Sequence, residues 1–206
     1  MNILIVSGSP RKGSQSAKVA NQFKKILVQR FKVDDKNVNI LDLSDNKLPL
    51  WPADDPQLNA AQVKDNIESV VFQLQKADAL VFLSPEYHGM ASPALKNFFM
   101  YCPVFDIAHK PALAVGVSSG RGGTYPITEL RISSFKNNHL FYIPEHLIIS
   151  NVIEEFEKES YTSWEEMSVT EKRATDCLDM LLTYAEALKG VRGKLVDIQQ
   201  DYPYGM

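Results

Sequence analysis

The chain has 206 residues, of which 45% are hydrophobic and 23% are charged, as in one soluble globular domain with a substantial core. Its net charge of −3 argues against nucleic acid as the main partner, because binding to a phosphate backbone needs a concentrated basic face. The first apolar run is too short for a membrane span or a signal peptide, so we expect no membrane segment and a cytoplasmic protein.

Five runs of residues predict strands, and the segments between them predict helices. Continuous apolar runs predict buried strands at 3–6, 79–83 and 112–117, an alternating run predicts one at 38–43, and Pro144 makes 140–149 an edge strand. Helical spacing and capping signals predict helices at 17–31, 56–74, 93–102, 126–135 and 174–188, the second of them with Asp55 as its N-cap and Pro56 at its first position.

Strands alternate with helices throughout, and no linker divides the chain. This pattern predicts an α/β fold: a flavodoxin-like, doubly wound, five-stranded parallel sheet with strand order 2-1-3-4-5, in a single domain over residues 1–206. We expect the tail at 190–206 to be loose or at a subunit contact.

Two connections are unusual for their length or composition. The loop at 44–56 carries the apolar residues Leu48, Leu50 and Trp51, so it packs on its own domain, forms a subunit interface or acts as a ligand lid. The segment at 154–166 is charged and is predicted to be a loop.

The cysteines and histidines indicate neither a disulfide nor a metal centre. Cys102 and Cys177 lie in apolar stretches without paired spacing, which predicts buried thiols. The four histidines lack the spacing of paired metal ligands, so we predict no metal site.

The loop between the first strand and the first helix has the composition of a phosphate cradle. It supplies small hydroxyl residues and a cation, and the start of the following helix presents free N–H groups with a partial positive charge. The candidates for binding phosphate are Ser9, Arg11, Ser14, Gln15 and Ser16. An ordinary loop with Ser14 or Ser16 as N-cap is the alternative; Walker-type and G-x-G-x-x-G loops are excluded by the sequence.

Two further loops leave the carboxyl ends of strands that this order places next to the first strand. One presents a rigid turn whose backbone amides could bind a planar heterocycle, and the other is rich enough in glycine to lie close to a flat ring. Their candidate residues are Pro85, Glu86, Tyr87, His88, Gly89, Ser119, Gly120, Gly122 and Gly123. All three loops are therefore expected to converge on one site.

These motifs resemble those of the NADPH-dependent FMN reductase family, which includes azoreductase, quinone reductase and chromate reductase types. The resemblance covers residues 2–151 and rests on G-S-P-R-K-G-S at 8–14, on S-P-E-Y-H-G at 84–89 followed by A-L-K-N at 94–97, on the glycines at 120–123, and on D-L…L-P at 42–49. His88 and Met90 depart from the Asn and Ser that many relatives have there.

The resemblance implies an FMN-dependent NAD(P)H oxidoreductase. Hydride would pass from the nicotinamide to FMN and on to a small acceptor, namely a free flavin, a quinone, an azo compound or a metal oxyanion. The loop at 9–16 would hold the FMN phosphate, and the other two loops would line the isoalloxazine ring, with glycine-loop amides stabilising charge on it; no side chain is assigned a catalytic role. The family implies a homodimer or homotetramer, and a flavodoxin-like electron carrier remains the alternative.

Overall fold

The computed structural model describes residues 1–45, 48–155 and 165–204. Five strands alternate with helices along the chain. In chain order, these strands and helices are β1 (Ile3–Ser7), α1 (Gln15–Gln29), β2 (Val38–Asp42), α2 (Ala60–Lys76), β3 (Ala79–Pro85), α3 (Pro93–Met100), β4 (Pro111–Val117), α4 (Thr124–Ser133), β5 (Phe141–Ile149), α5 (Val152–Glu155), α6 (Val169–Lys189) and α7 (Arg192–Ile198).

The strands form one parallel sheet in the order β2-β1-β3-β4-β5, which confirms the predicted flavodoxin-like fold. Every residue of β1, β3 and β4 is buried, because helices cover both faces of the sheet. Alternate side chains of β1 separate two cores: Ile3 and Ile5 pack with α1 and α6, whereas Leu4 and Val6 pack with α2, α3 and α4. No described helix is long and apolar enough to cross a membrane.

Pro144 lies inside the edge strand β5, as predicted, and it is accommodated by a bulge. Ala112 pairs with Tyr142, but Ala114 pairs with His146, so three residues of β5 oppose one residue of β4. The Arg131 guanidinium donates to the carbonyl oxygens on either side of the proline, at 2.8 and 3.0 Å. A cation thus satisfies backbone groups that the interrupted ladder leaves without partners.

The predicted start of α2 is wrong by four residues. The Asp55 carboxylate accepts from Gln57 N–H in a local turn, and Asn59 is the N-cap, accepting from Gln62 N–H at 3.2 Å. The apolar stripe begins only at Val63, so a helix over 56–59 would have no face to bury. The helix α6 begins at Val169, five residues before the predicted position 174. The helices α1 (Gln15–Gln29) and α4 (Thr124–Ser133) each lie two residues earlier than predicted, and α3 ends at Met100 rather than at residue 102.

Both cysteines are free and buried, as predicted. Desolvation raises the pKa of the Cys102 thiol, and it raises the pKa of Cys177 to about 11. Neither thiol is therefore in the reactive thiolate form near neutral pH.

The described part of the loop after β2 packs on α3. Asn97 accepts from Trp51 N–H at 2.9 Å and donates to Pro49 O at 2.8 Å, and the Tyr101 hydroxyl donates to the same carbonyl at 3.0 Å. Leu50 and Trp51 nevertheless stay 83% and 49% exposed. Packing on its own domain, one of the three alternatives, therefore accounts for the backbone of this loop but not for these two side chains.

The C-terminal tail, described to residue 204, makes hydrogen bonds with its own chain. Gln199 bridges two imidazoles, at 2.6 Å from His109 Nε2 and 3.0 Å from His139 Nδ1. His139 Nε2 then donates to Pro203 O at 2.8 Å. The predicted charged loop at 154–166 lies mostly outside the described residues, and its first two residues belong to α5.

Lys110 is fully buried at the start of β4. Its ammonium donates to Leu74 O, and to Gln75 O at 3.1 Å, which places it at the negative end of α2. Desolvation, assisted by the charge of Arg192, lowers the pKa of Lys110 to about 7 against the opposing effect of nearby carboxylates.

This lowered pKa makes stability depend on pH. Between pH 7 and 10.5 the unfolded chain holds more protons at Lys110 than the folded chain does, so the contribution of this group to stability rises with pH in that window and is flat below it. We expect the free energy of unfolding of the wild type, relative to Lys110→Met, to increase by about 2–4 kcal/mol from pH 7 to pH 10. Urea denaturation of both proteins measures this; parallel pH profiles would contradict it.

Candidate functional site

The exit of β1 is fixed against the exit of β3 by a backbone hydrogen bond. Gly8 N–H donates to Leu83 O at 2.8 Å. A Cβ on Gly8 would lie 2.6 Å from that oxygen and 3.1 Å from the Leu95 side chain, so only glycine fits here. The first loop therefore starts directly over the carboxyl end of β3.

The start of α1 presents hydroxyl groups to the region above the sheet. Ser14 is the N-cap, one of the two residues that the ordinary-loop alternative offered for that position, and accepts from Ala17 N–H at 3.2 Å, which leaves its own O–H free to donate to a ligand. Ser16 Oγ is buried without a protein partner, and so is Ser7 Oγ at the end of β1. Arg11 is exposed in the same loop.

The second loop is a tight turn that contacts the first loop. Tyr87 and Met90 exchange both backbone hydrogen bonds, at 3.0 and 3.1 Å, and the two residues between them, His88 and Gly89, have φ of +51° and +73°. Two positive φ values are the signature of a type I′ turn, where Asn-Gly is favoured and His is tolerated better than most residues. The Tyr87 hydroxyl lies 2.8 Å from Ser9 Oγ.

The third loop runs from β4 to α4 and is held by Glu86. Glu86 N–H donates to Val117 O at 2.9 Å, and its carboxylate accepts from Gly123 N–H at 2.5 Å. On the far side, Ser150 Oγ donates to Gly122 O at 2.6 Å, and Asn151 N–H donates to a further carbonyl of the loop at 2.7 Å. The loop is therefore fixed to both neighbouring strand ends.

The three loops enclose one cleft of about 300 Å³ at the carboxyl edge of the sheet, a size at the lower end for small-ligand sites. Eight of the predicted residues line it: Arg11, Ser14, Gln15, Ser16, Pro85, Glu86, Tyr87 and Ser119. Six do not: Ser9 lies buried beneath it, His88 and Gly89 form an exposed turn, and Gly120, Gly122 and Gly123 lie in the third loop away from the lining.

The structure also adds residues to the lining. Lys12 and Gly13 belong to the first loop, whereas Val117 and Ile153 were not predicted. Val117 is the last residue of the central strand β4. Because ligands of such sheets bind at the carboxyl ends of the strands, this residue could have been predicted from the sequence. Ile153 is on the short helix α5 and had no comparable signal in the sequence.

Several backbone amides expected to face a flat ring already donate within the chain. Glu86 and Tyr87 donate to Val117 O and Met90 O, and in the glycine loop Gly120 donates to the Ser118 hydroxyl and Gly123 to the Glu86 carboxylate. These four groups shape the loops rather than bind a ligand. The expectation that glycine-loop amides contact a ring stays a prediction, and in this structure the amides of Gly120 and Gly123 donate within the chain.

The chemistry of the first loop fits a phosphate monoester such as that of FMN. A buried hydroxyl without a protein partner at Ser16, the spare donor of Ser14 and the start of α1 all offer donors to an anion. Arg11 and Lys12 line the same cleft and supply positive charge. The described residues contain no group of three or more potential metal ligands.

The strand order and the helices on both faces place the chain among proteins with a flavodoxin-like fold. The apo form of the NADH:FMN oxidoreductase EmoB superposes with a TM-score of 0.63 at 18% identity, covering 87% of each chain. FerB of Paracoccus denitrificans, a flavoenzyme NAD(P)H:(acceptor) oxidoreductase, gives a TM-score of 0.56 at 18% identity, covering 92% of this chain and 97% of its own. At such identities these likenesses show the fold.

Sequence comparison specifies the family. The NADPH-dependent FMN reductase family matches residues 1–154, and the chain belongs to it, as the motifs indicated. An FMN-dependent NADPH-azoreductase of Staphylococcus haemolyticus (strain JCSC1435) is 31% identical over 64% of this chain and 68% of its own. An NADPH azoreductase of Bacillus sp. (strain OY1-2) is 27% identical over 74% of this chain and 78% of its own. The protein is therefore an oxidoreductase of the type that uses FMN and NADPH.

The contact at Gly8 gives a stability prediction. We expect Gly8→Ala to lower the free energy of unfolding by about 2 kcal/mol or more, because its Cβ would collide with backbone that cannot move without shifting β3. Gly190→Ala is the matched control, since a Cβ there meets open space. Chemical denaturation measures both; equal stability of the two variants would contradict the assigned contact.

Proposed function

We propose that this protein binds FMN in the cleft between its three loops and uses NADPH to reduce a small planar acceptor of the azo or quinone type. The observation that carries the proposal is the position of the cleft. It lies at the carboxyl edge of the sheet, where the start of α1 and the unpartnered hydroxyl of Ser16 meet the ends of β3 and β4. FMN, when bound, supplies the hydride and electron chemistry.

The residues of the cleft divide into two groups by their chemistry. Arg11, Lys12, Ser14 and Ser16 would hold the phosphate through charge and hydroxyl donors, whereas Pro85, Tyr87 and Val117 offer apolar or aromatic surface suited to a flat ring. Both groups line one continuous cleft. The chain therefore presents a polar end and an apolar wall to the same ligand.

The names of the relatives support an azo compound as one acceptor, because both of the curated relatives described above are NADPH azoreductases. Quinones are the second class, since they are also flat and accept two electrons. A flavodoxin-like electron carrier would hold FMN but would not oxidise NADPH, and the small net charge of −3 gives it no support.

The first experiment is an absorption spectrum of protein loaded with FMN and desalted, recorded without oxygen before and after NADPH. We expect a bound flavin band that bleaches on addition of NADPH and recovers when an azo dye or a quinone is added. A band that persists with NADPH would favour the electron carrier, and no retained band would contradict the cleft as an FMN site.

A second experiment tests the phosphate end. Ser14→Asp keeps a good N-cap for α1 but replaces the spare O–H donor by a carboxylate, so repulsion should weaken FMN binding about tenfold or more without loss of stability. Asn59→Asp is the matched control, because it makes the same change of charge at the N-cap of α2, outside the cleft. Titration with FMN, followed by flavin fluorescence, measures the dissociation constant of each variant. Equal affinities would remove Ser14 from the site.

A further inference from the structure

Glu86 contacts both ends of the third loop. Its backbone N–H donates to Val117 O, where the loop leaves β4, and its carboxylate accepts from Gly123 N–H, where the loop enters α4. One residue at the end of β3 therefore closes the whole connection between β4 and α4.

The carboxylate also caps α4. Gly123 is the N-cap residue of this ten-residue helix, with φ of +116°, and it has no side chain to accept from the first turn. The Glu86 carboxylate, from another strand, accepts instead from the N–H of Gly123 itself, as the Glu of a capping box does, and its charge lies at the positive end of the helix. This arrangement stabilises a helix start that its own sequence leaves without a cap.

The glycines of the loop are required by close contacts, that of Gly122 with the Glu86 carboxylate and that of Gly123 with β5. A Cβ on Gly122 would lie 2.5 Å from Glu86 Oε1, and a Cβ on Gly123 would lie 2.8 Å from Ile148 Cγ2. A Cβ on Gly116 would collide with Gly123 O. Two neighbouring glycines thus let the loop lie down on the sheet edge and let the carboxylate approach it.

We infer that Glu86 is a positioning residue that sets the width of the FMN cleft. Ser119 lines the cleft from the third loop, and Pro85 and Tyr87 line it from the β3 side; the bond from Glu86 to Gly123 fixes these two walls relative to each other. This inference rests on the proposed function, since it is FMN that the cleft would be shaped to fit. It assigns Glu86 no proton transfer.

The first test needs no cofactor. In FMN-free protein, Glu86→Ala should speed hydrogen exchange of the Gly123 amide about tenfold or more, because the amide loses its acceptor. Glu86→Gln keeps a side-chain oxygen that can accept, so its exchange should stay within about threefold of the wild type. Gly122→Ala should act like Glu86→Ala, since it displaces the carboxylate while leaving Glu86 in place.

Glu129 supplies a matched control. Its carboxylate also accepts from a backbone amide, that of Ala91 at 2.7 Å, and it lies on α4 itself but away from the lining of the cleft. Glu129→Ala should leave exchange at Gly123 unchanged. Unchanged exchange in Glu86→Ala, or an equal increase in Glu129→Ala, would overturn the positioning role.

The second test measures FMN affinity. Glu86→Ala and Gly122→Ala should weaken FMN binding about tenfold, whereas Glu86→Gln should restore most of it. If exchange at Gly123 rises while affinity stays at the wild-type value, the contact holds the loop but does not set the cleft, and the inference is wrong. If the wild type itself retains no FMN, the proposed function fails, and the exchange data still decide whether Glu86 holds the loop.

Discussion

The backbone hydrogen bond from Gly8 to Leu83 is the constraint on which the site depends. It continues the pairing of β1 with β3 one residue beyond Ser7, so the first loop begins while the chain is still bonded to β3. The contact between Ser9 and Tyr87 extends this closeness to the side chains of two loops. A Cβ at position 8 would collide with Leu83 O, so this contact requires glycine.

The region of the site also contains groups that lower the stability of the folded chain. Ser7 and Ser16 hold buried hydroxyls without protein partners, and such a group costs about 1–3 kcal/mol. The apolar cluster formed by β1, α1 and α6 lies directly below them and offsets that cost. Ser16 lines the cleft, so under the proposed function an oxygen acceptor of the ligand would recover the part of this cost that belongs to Ser16.

The sequence allowed the sheet to be predicted because its signals are local. Continuous apolar runs identify β1, β3 and β4, and the positions of helices between them determine a parallel order. The start of α2 was missed because Asp55 and Asn59 are both good caps, and only packing decides between them. The three loops were found for a similar reason: their residue types are unusual for strand ends. The hydrogen bonds between these loops could not be predicted, because the acceptor of Gly123 N–H, the Glu86 carboxylate, is 37 residues away in the chain.

Of the three longest described helices, α1, α2 and α6, the helix α2 buries the fewest residues. Only Val70 and Leu74 of its seventeen residues are buried, against five residues of α1 and seven of α6. The free energy needed to detach a helix follows the apolar area that it buries. Detaching α2 from the sheet therefore exposes less apolar surface than detaching α1 or α6, so its local opening costs less free energy than theirs.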